Sequence, residues 1–337
     1  MKQINRREFL KFGSAALVGL LLPKTPASAY SGDYEEFGPP PASLGRIATW
    51  WNQGVRKSPS PTADWVVWKS RDEIIPLLAA VVGEAPWPTN PIWYQTSGGF
   101  IHSGYVQPVE DRPQAEVVTD VHEPGFWAQV CVPFAESRWQ PGSPYVSRKL
   151  YYETVYRVVG AKADDDGKWW YQLLEGITWS PGPYVPAWSV RRIQPEELAP
   201  ISPGRTDKWI QINIQEQTLD CYEGERAVFS TRIGSGLGGT ATPRGEFRVL
   251  YKHYTRRMIG DDYDLPGVAF PVYFTRSGVA IHGTYWHNDY GRRHSHGCVN
   301  VTSTAAAWVF RWVDPVAPYT AYTQDAEPDK GTPIIVV

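Results

Sequence analysis

The sequence predicts a mostly β protein assembled from several units, and three observations carry that reading. From Gly45 onward the chain is a succession of short apolar runs broken by Gly, Pro, Asn and Asp and rich in Trp and Tyr, the texture of strands and turns. Helix-period stretches are few: even "SRDEIIPLLAAVVG" (70–83) is interrupted by Pro76 and reads as strand and turn. The 337 residues also exceed one ordinary small domain. Hydrophobic residues make up 42%, enough for real cores, and a net charge of −2 gives no basic footprint for nucleic acid.

The N-terminus sets the expected compartment. "NRREFLKF" carries Arg6 and Arg7, an apolar run from Phe12 to Leu22 follows, and "PKTPASAY" offers a small-residue cleavage site at Ala29. A basic n-region, a short h-region and such a site read as a signal peptide over 1–29. The run is too short for a stable bilayer span, and the paired arginines followed by Phe-Leu-Lys resemble the twin-arginine export signal. The mature chain is therefore expected outside the cytoplasm, with no stable membrane span after cleavage.

Next comes "YSGDYEEFGPPPAS" (30–43), acidic and Pro-rich, read as a flexible leader. A weak internal repeat follows: "NPIWYQTSGGFIHSGYVQPV" (90–109) is similar to "DGKWWYQLLEGITWSPGPYVPAWSVRRI" (166–193), each with Trp-Tyr-Gln, a glycine turn and Tyr-Val. With the "VR-x-x-P" turn ahead of the first copy, residues 44–110 resemble a bacterial SH3-like wall module, and 115–198 resemble a second, divergent one. The aromatics have a plain explanation as barrel core. Residues 193–207 read as a linker. After it "KWIQINIQEQTLDCYEGERAVFSTRIGSG" alternates apolar and polar residues around a Glu223–Gly224 turn, a hairpin that opens another kind of unit, closed by the strand "TPIIVV".

Three cysteines, an odd number, imply at least one free thiol. Cys131 and Cys221 sit in apolar, strand-like runs and read as buried packing residues rather than a disulfide. Cys298 lies in the polar stretch "RRHSHGCVN" (292–300), with His282, His287, His294 and His296 nearby. Zinc takes Cys and His, but this spacing matches no common zinc framework, so no metal is expected. A structural filler reading fails for want of apolar residues to build a core. Nucleophilic catalysis remains: a thiol needs a base or an electropositive setting. His282 closes the strand-like run "GVAIHG" and can serve as that base. An Ala-rich helix is expected from about Ser303 to Trp312, capped by Thr302 or Ser303, which would set Cys298 a few residues before its N-terminus. Gly297 permits close backbone approach, and amides near Gly297 and Cys298 are candidates for stabilising an oxyanion.

The order "IHGTYW…SHGCVNV", with "TPRGEF" (242–247) upstream and "KGTPIIVV" at the end, resembles the L,D-transpeptidase catalytic domain over about 206–337. The resemblance implies Cys298 as nucleophile, His282 as base, the carbonyl of Gly283 as the group orienting the base, and His296 as a positioning or oxyanion-side residue. It also implies a substrate-binding set of Trp286, Gly297, Asn300, Ser295 and Tyr273. Only twelve residues separate His282 from Ser295, so loop 284–294 is expected to be tight. Arg292 and Arg293 are expected as solvated surface charges. The implied fold is mostly β: one or two SH3-like barrels, then a β-rich catalytic domain with a short helix after the Cys. The implied activity is cysteine acyl transfer between peptidoglycan stem peptides, in periplasm or wall, without a cofactor, the SH3-like modules contacting wall polymer. The alternatives are a cysteine-type wall carboxypeptidase or endopeptidase, or a non-catalytic wall-binding protein. A papain-like endopeptidase places Cys before His in the chain, opposite to the order here.

Overall fold

The computed structural model describes residues 36–87, 89–174 and 181–337. The signal peptide (1–29) and the start of the leader fall outside them. The chain is mostly β, with one α-helix among the described residues. No helix among them is long and apolar enough to cross a membrane.

The first unit is a set of short antiparallel strands. Ala79–Val82 pairs with Ile92–Thr96, which turns back through Gly99–His102. A 3-10 turn, Ser103–Tyr105, then feeds Val106–Val109, which pairs with the early strand Leu44–Ile47. Ile47, Ile75, Leu77, Ile101 and Val106 fill its core. Pro76 ends the strand Ile74–Pro76, as its missing N–H requires. The leader reading over 30–43 needs correction at its end: Glu36–Gly38 forms a strand on the edge of Ala79–Val82, whose free backbone groups it pairs.

The second unit repeats the closing pattern, which explains the sequence repeat. Trp169–Leu174 pairs with Pro181–Pro186, and a 3-10 turn, Ala187–Ser189, feeds Val190–Arg192 onto the unit's early strand Phe126–Val130. That strand serves two cores because successive side chains face opposite ways. Phe126, Ala128 and Val130 point into this unit. Trp127 points out, into the core of the C-terminal unit, where it stacks on Tyr254 with ring centroids 4.6 Å apart and donates to the Tyr319 carbonyl at 2.8 Å. Residues 193–207 are packed rather than loose: Pro195–Leu198 forms a 3-10 turn with a capping box, and Ile193 and Leu198 join the same core.

The C-terminal unit holds two five-stranded sheets. In one, Lys208–Asn213 lies between Thr218–Glu223 and the parallel Pro333–Val336, and Gly224 turns the expected hairpin at φ +60°. In the other, Ala280–Gly283 lies between Val272–Tyr273 and the parallel Val299–Val301. The helix Ser303–Trp312 packs Ala306, Val309, Phe310 and Trp312 into the core. Thr302 caps it, its Oγ1 accepting from the Ala305 N–H at 3.1 Å. Two buried lysines satisfy the far end: Lys252 Nζ donates to the Phe310 and Val313 carbonyls at 2.6 and 3.0 Å, and Lys208 Nζ to the Trp312 carbonyl at 2.8 Å. Cys131 and Cys221 are buried free thiols.

Candidate active site

Register brings the candidate catalytic residues together. In the parallel pair, Ile281 lies opposite Val299 and His282 opposite Asn300. Side chains alternate along a strand, so Ile281, Val299 and Val301 face the core. His282 and Asn300 take the other face, and Cys298, two residues before Asn300, falls on that face too. All three line one cleft of about 160 Å³, together with Trp286, Ser295, His294 and His296. Roomier grooves on the surface, such as one of about 640 Å³ beside Phe247 and Phe274, contain neither His282 nor Cys298.

His282 is 2% exposed, and its Nδ1 donates to the Gly283 carbonyl at 3.0 Å. That bond leaves Nε2 as the lone-pair nitrogen. Burial lowers the His282 pKa to about 4, against the opposing pull of the Gly283 carbonyl, so the ring is neutral near pH 7. Gly283 is a necessary glycine. A Cβ there would lie 2.9 Å from both Cα and Oγ of Ser303, where the helix begins against the strand.

Cys298 is partly exposed, with Sγ 3.8 Å from the Gly278 carbonyl. Burial pushes its thiol pKa up. The strand Val299–Val301 lies between Cys298 and the helix, and the field of a helix N-terminus fades within a turn. The resting pair is therefore neutral thiol and neutral imidazole.

The surrounding loop is held from within. Gly297 has φ +117°, a left-handed conformation that favours glycine. Its N–H donates to Ser295 Oγ at 3.1 Å and its carbonyl accepts from Thr242 Oγ1 at 2.8 Å. The Ser295 hydroxyl in turn donates to the Cys298 carbonyl. The Gly297 amide is thus engaged with Ser295 rather than free for an oxyanion, and the Ser295 hydroxyl is spent on the loop rather than offered to substrate. Asn300 Nδ2 lies 2.8 Å from His287 Nε2.

Two expected residues form no hydrogen bond to His282 or Cys298. Tyr273 is buried, stacks on Tyr251 at 4.5 Å between centroids, and is not among the cleft-lining residues. Burial chiefly raises its phenol pKa, and the nearby Cys298 adds to the rise. His296 sits at the rim, more than half exposed, 3.7 Å from Asp262 and beside the Tyr263 ring. It bonds to neither His282 nor Cys298. Trp286 lines the cleft, its ring centroid 5.9 Å from that of His282.

Sequence reasoning missed the contribution of the first unit. Trp50 lines the cleft from 248 positions upstream of Cys298, and no local spacing signals it. The first unit also fastens loop 284–294. Arg46, 2% exposed, pairs with Asp72 at 2.8 Å and donates to Gln107 and to the Tyr285 carbonyl. Thr89 Oγ1 donates to the Gly291 carbonyl at 2.6 Å, and Asn288 Nδ2 to the Ser103 carbonyl at 3.1 Å. The tight loop expected from the twelve-residue spacing is thus a docked one. Arg292 is exposed, as expected, and lies over the Trp87 ring of the first unit at 5.1 Å.

Comparison with known proteins agrees on one part of the chain. Residues 207–336 match the YkuD family model, the L,D-transpeptidase catalytic domain. YciB of Bacillus subtilis (strain 168), named as an L,D-transpeptidase, is 28% identical over 116 residues, which are 30% of this chain. The match spans 59% of the length of that relative. Among solved structures, an Enterococcus faecium L,D-transpeptidase is 27% identical, with 39% of this chain and 50% of that one covered and a TM-score of 0.32. An L,D-transpeptidase from Mycobacterium smegmatis is 18% identical, with 68% and 93% covered and a TM-score of 0.32.

Proposed function

Residues 207–336 match the family model of the L,D-transpeptidase catalytic domain, and from that match we propose that the protein is a peptidoglycan L,D-transpeptidase acting through a Cys298 thioester. The observation that carries the reading is the His282–Gly283 bond, which holds the neutral imidazole with Nε2 free in the cleft that also contains Cys298. His282 Nε2 takes the thiol proton as Sγ attacks the carbonyl of the third residue of a tetrapeptide stem. The C–N bond to the terminal D-alanine breaks, and the imidazolium returns the proton to the leaving amine. An amine of a second stem attacks the thioester, loses a proton to His282, and the thiol is released. Water in place of the amine gives a carboxypeptidase outcome. Asn300, Gly297 and Ser295 act as positioning residues of the loop.

In this reading the N-terminal units are SH3-like modules that hold wall polymer near the cleft, and the chain works outside the cytoplasm after twin-arginine export. Replacing Arg6 and Arg7 together by Lys then leaves precursor in the cytoplasm. A strained β-lactam would acylate the same thiol, because ring opening places an oxyanion where the stem carbonyl does.

The test is incubation of mature protein, beginning at Tyr30, with tetrapeptide stems, products being read by mass. Release of D-alanine with cross-linked dimers supports the reading. A folded protein that releases none overturns it.

A further inference from the structure

Beyond the catalytic pair, a cluster of side chains lies on the loop that joins the two site strands. His287 and Asp289 are 4% and 6% exposed, and His294 opens toward the cleft. His287 Nδ1 lies 2.8 Å from Asp289 Oδ1, and His294 Nδ1 lies 3.2 Å from Asp289 Oδ2. The donor atoms all fall within 4.8 Å of one another. The two imidazole rings are 4.2 Å apart at their centroids.

The shorter contact is a buried ion pair rather than an aligned hydrogen bond. His287 Nδ1 and Asp289 Oδ1 are both buried, and neither has a hydrogen-bond partner, despite the 2.8 Å between them. They are close but not in line. Asn300 Oδ1, on the far side of the His287 ring, is a third buried acceptor without a partner. Leaving a buried polar atom unpaired is costly, and three such atoms meet at this one place.

We propose that His287, Asp289 and His294 bind one divalent transition-metal ion of the zinc class. Two imidazole nitrogens and a carboxylate are the donors such ions take, and three protein ligands leave a position for water. Donors about 2.0–2.1 Å from one tetrahedral ion stand about 3.3 Å apart; the two spacings to Asp289, 2.8 and 3.2 Å, lie a little inside that value, and all the donors lie within 4.8 Å of one another. An ion between them gives His287 Nδ1 and Asp289 Oδ1 a common partner. With Nδ1 on the metal, His287 Nε2 carries the proton, and a turned Asn300 amide accepts it at Oδ1. One ion thus partners both orphaned atoms of the His287–Asp289 pair and extends the chain of support from metal to imidazole to the Asn300 amide. The site differs from the sequence-level zinc reading, which grouped all the His and Cys of the stretch. Cys298 and His282 take no part, so the ion clamps the loop and does not enter the chemistry.

The test uses the mature Cys298→Ala protein, so that no thiolate competes for metal. Equilibrium dialysis against Zn²⁺ should give one bound equivalent, and Zn²⁺ should raise the unfolding temperature. Co²⁺ in its place should give visible d–d bands of a nitrogen and oxygen site, without a thiolate charge-transfer band. Asp289→Asn and His294→Ala should each weaken binding at least tenfold and remove the Zn²⁺-dependent rise. Failure of Cys298→Ala to bind Zn²⁺ or to give the Co²⁺ bands overturns the proposal, whatever the folding of the other variants. So does affinity unchanged in folded Asp289→Asn and His294→Ala.

Discussion

The Nδ1 of His282 donates to the carbonyl of its own neighbour, Gly283, at 3.0 Å. A backbone carbonyl in this position selects the tautomer and fixes the ring without adding a charge. Cys298→Ala should remove turnover with the fold intact, and His282→Ala should come close to it. Because the two act as one unit, the double variant should be little worse than either alone. Single-turnover assays on tetrapeptide stems check this, and product from Cys298→Ala would end the mechanism.

Burial sets the pH response. A His282 pKa lowered to about 4 keeps the base competent until the pH falls that far. The acid limb of kcat/KM should therefore lie near pH 4 rather than near 6.5, the unperturbed value. The raised Cys298 pKa means little thiolate absorbance at pH 7 by ultraviolet difference between wild type and Cys298→Ala. An acid limb at pH 6 or above would count against a neutral, buried base.

Trp50 joins the first unit to the cleft. Trp50→Ala should raise KM about tenfold with kcat nearly unchanged, the loss of roughly 1.4 kcal/mol of aromatic contact with substrate. Arg46→Ala should instead destabilise the folded protein by about 3 kcal/mol, since it strips a buried cation from Asp72 and from the Tyr285 carbonyl. Steady-state kinetics and denaturant unfolding separate the two effects.

Gly283→Ala places a methyl against Ser303. Either the helix start or the strand must move, and the carbonyl that orients His282 moves with it. The expected result is at least a tenfold loss of kcat with a smaller change in KM, and partial recovery when Ser303→Gly is added. No recovery in a folded double variant would place the fault elsewhere.

A strained β-lactam should add one drug mass to a peptide containing Cys298 and to no other. Acylation should be slow in His282→Ala and absent in Cys298→Ala. It should persist in excess chelator, because an ion on His287, Asp289 and His294 does not touch the reacting atoms. Intact-mass spectrometry with peptide mapping decides it, and labelling of the buried Cys131 or Cys221 would contradict the site.

The sequence by itself determined what period and local chemistry can express. Alternation announced the hairpin around Gly224, Ala-rich spacing and Thr302 announced the helix, and the order of His282 and Cys298 with their glycines announced two residues that share one cleft. It could not express which residues meet across long separations. Trp50 and Arg46 reach the site only because the first unit docks on loop 284–294, and Trp127 belongs to a neighbouring unit's core because its strand has two faces. Tyr273 and His296 show the converse. Each lies near the motif, yet the first is buried in a stack with Tyr251, the second stands exposed at the rim beside Asp262, and neither bonds to His282 or Cys298. A strand pattern tells which side a residue takes, whereas only packing decides what stands opposite it.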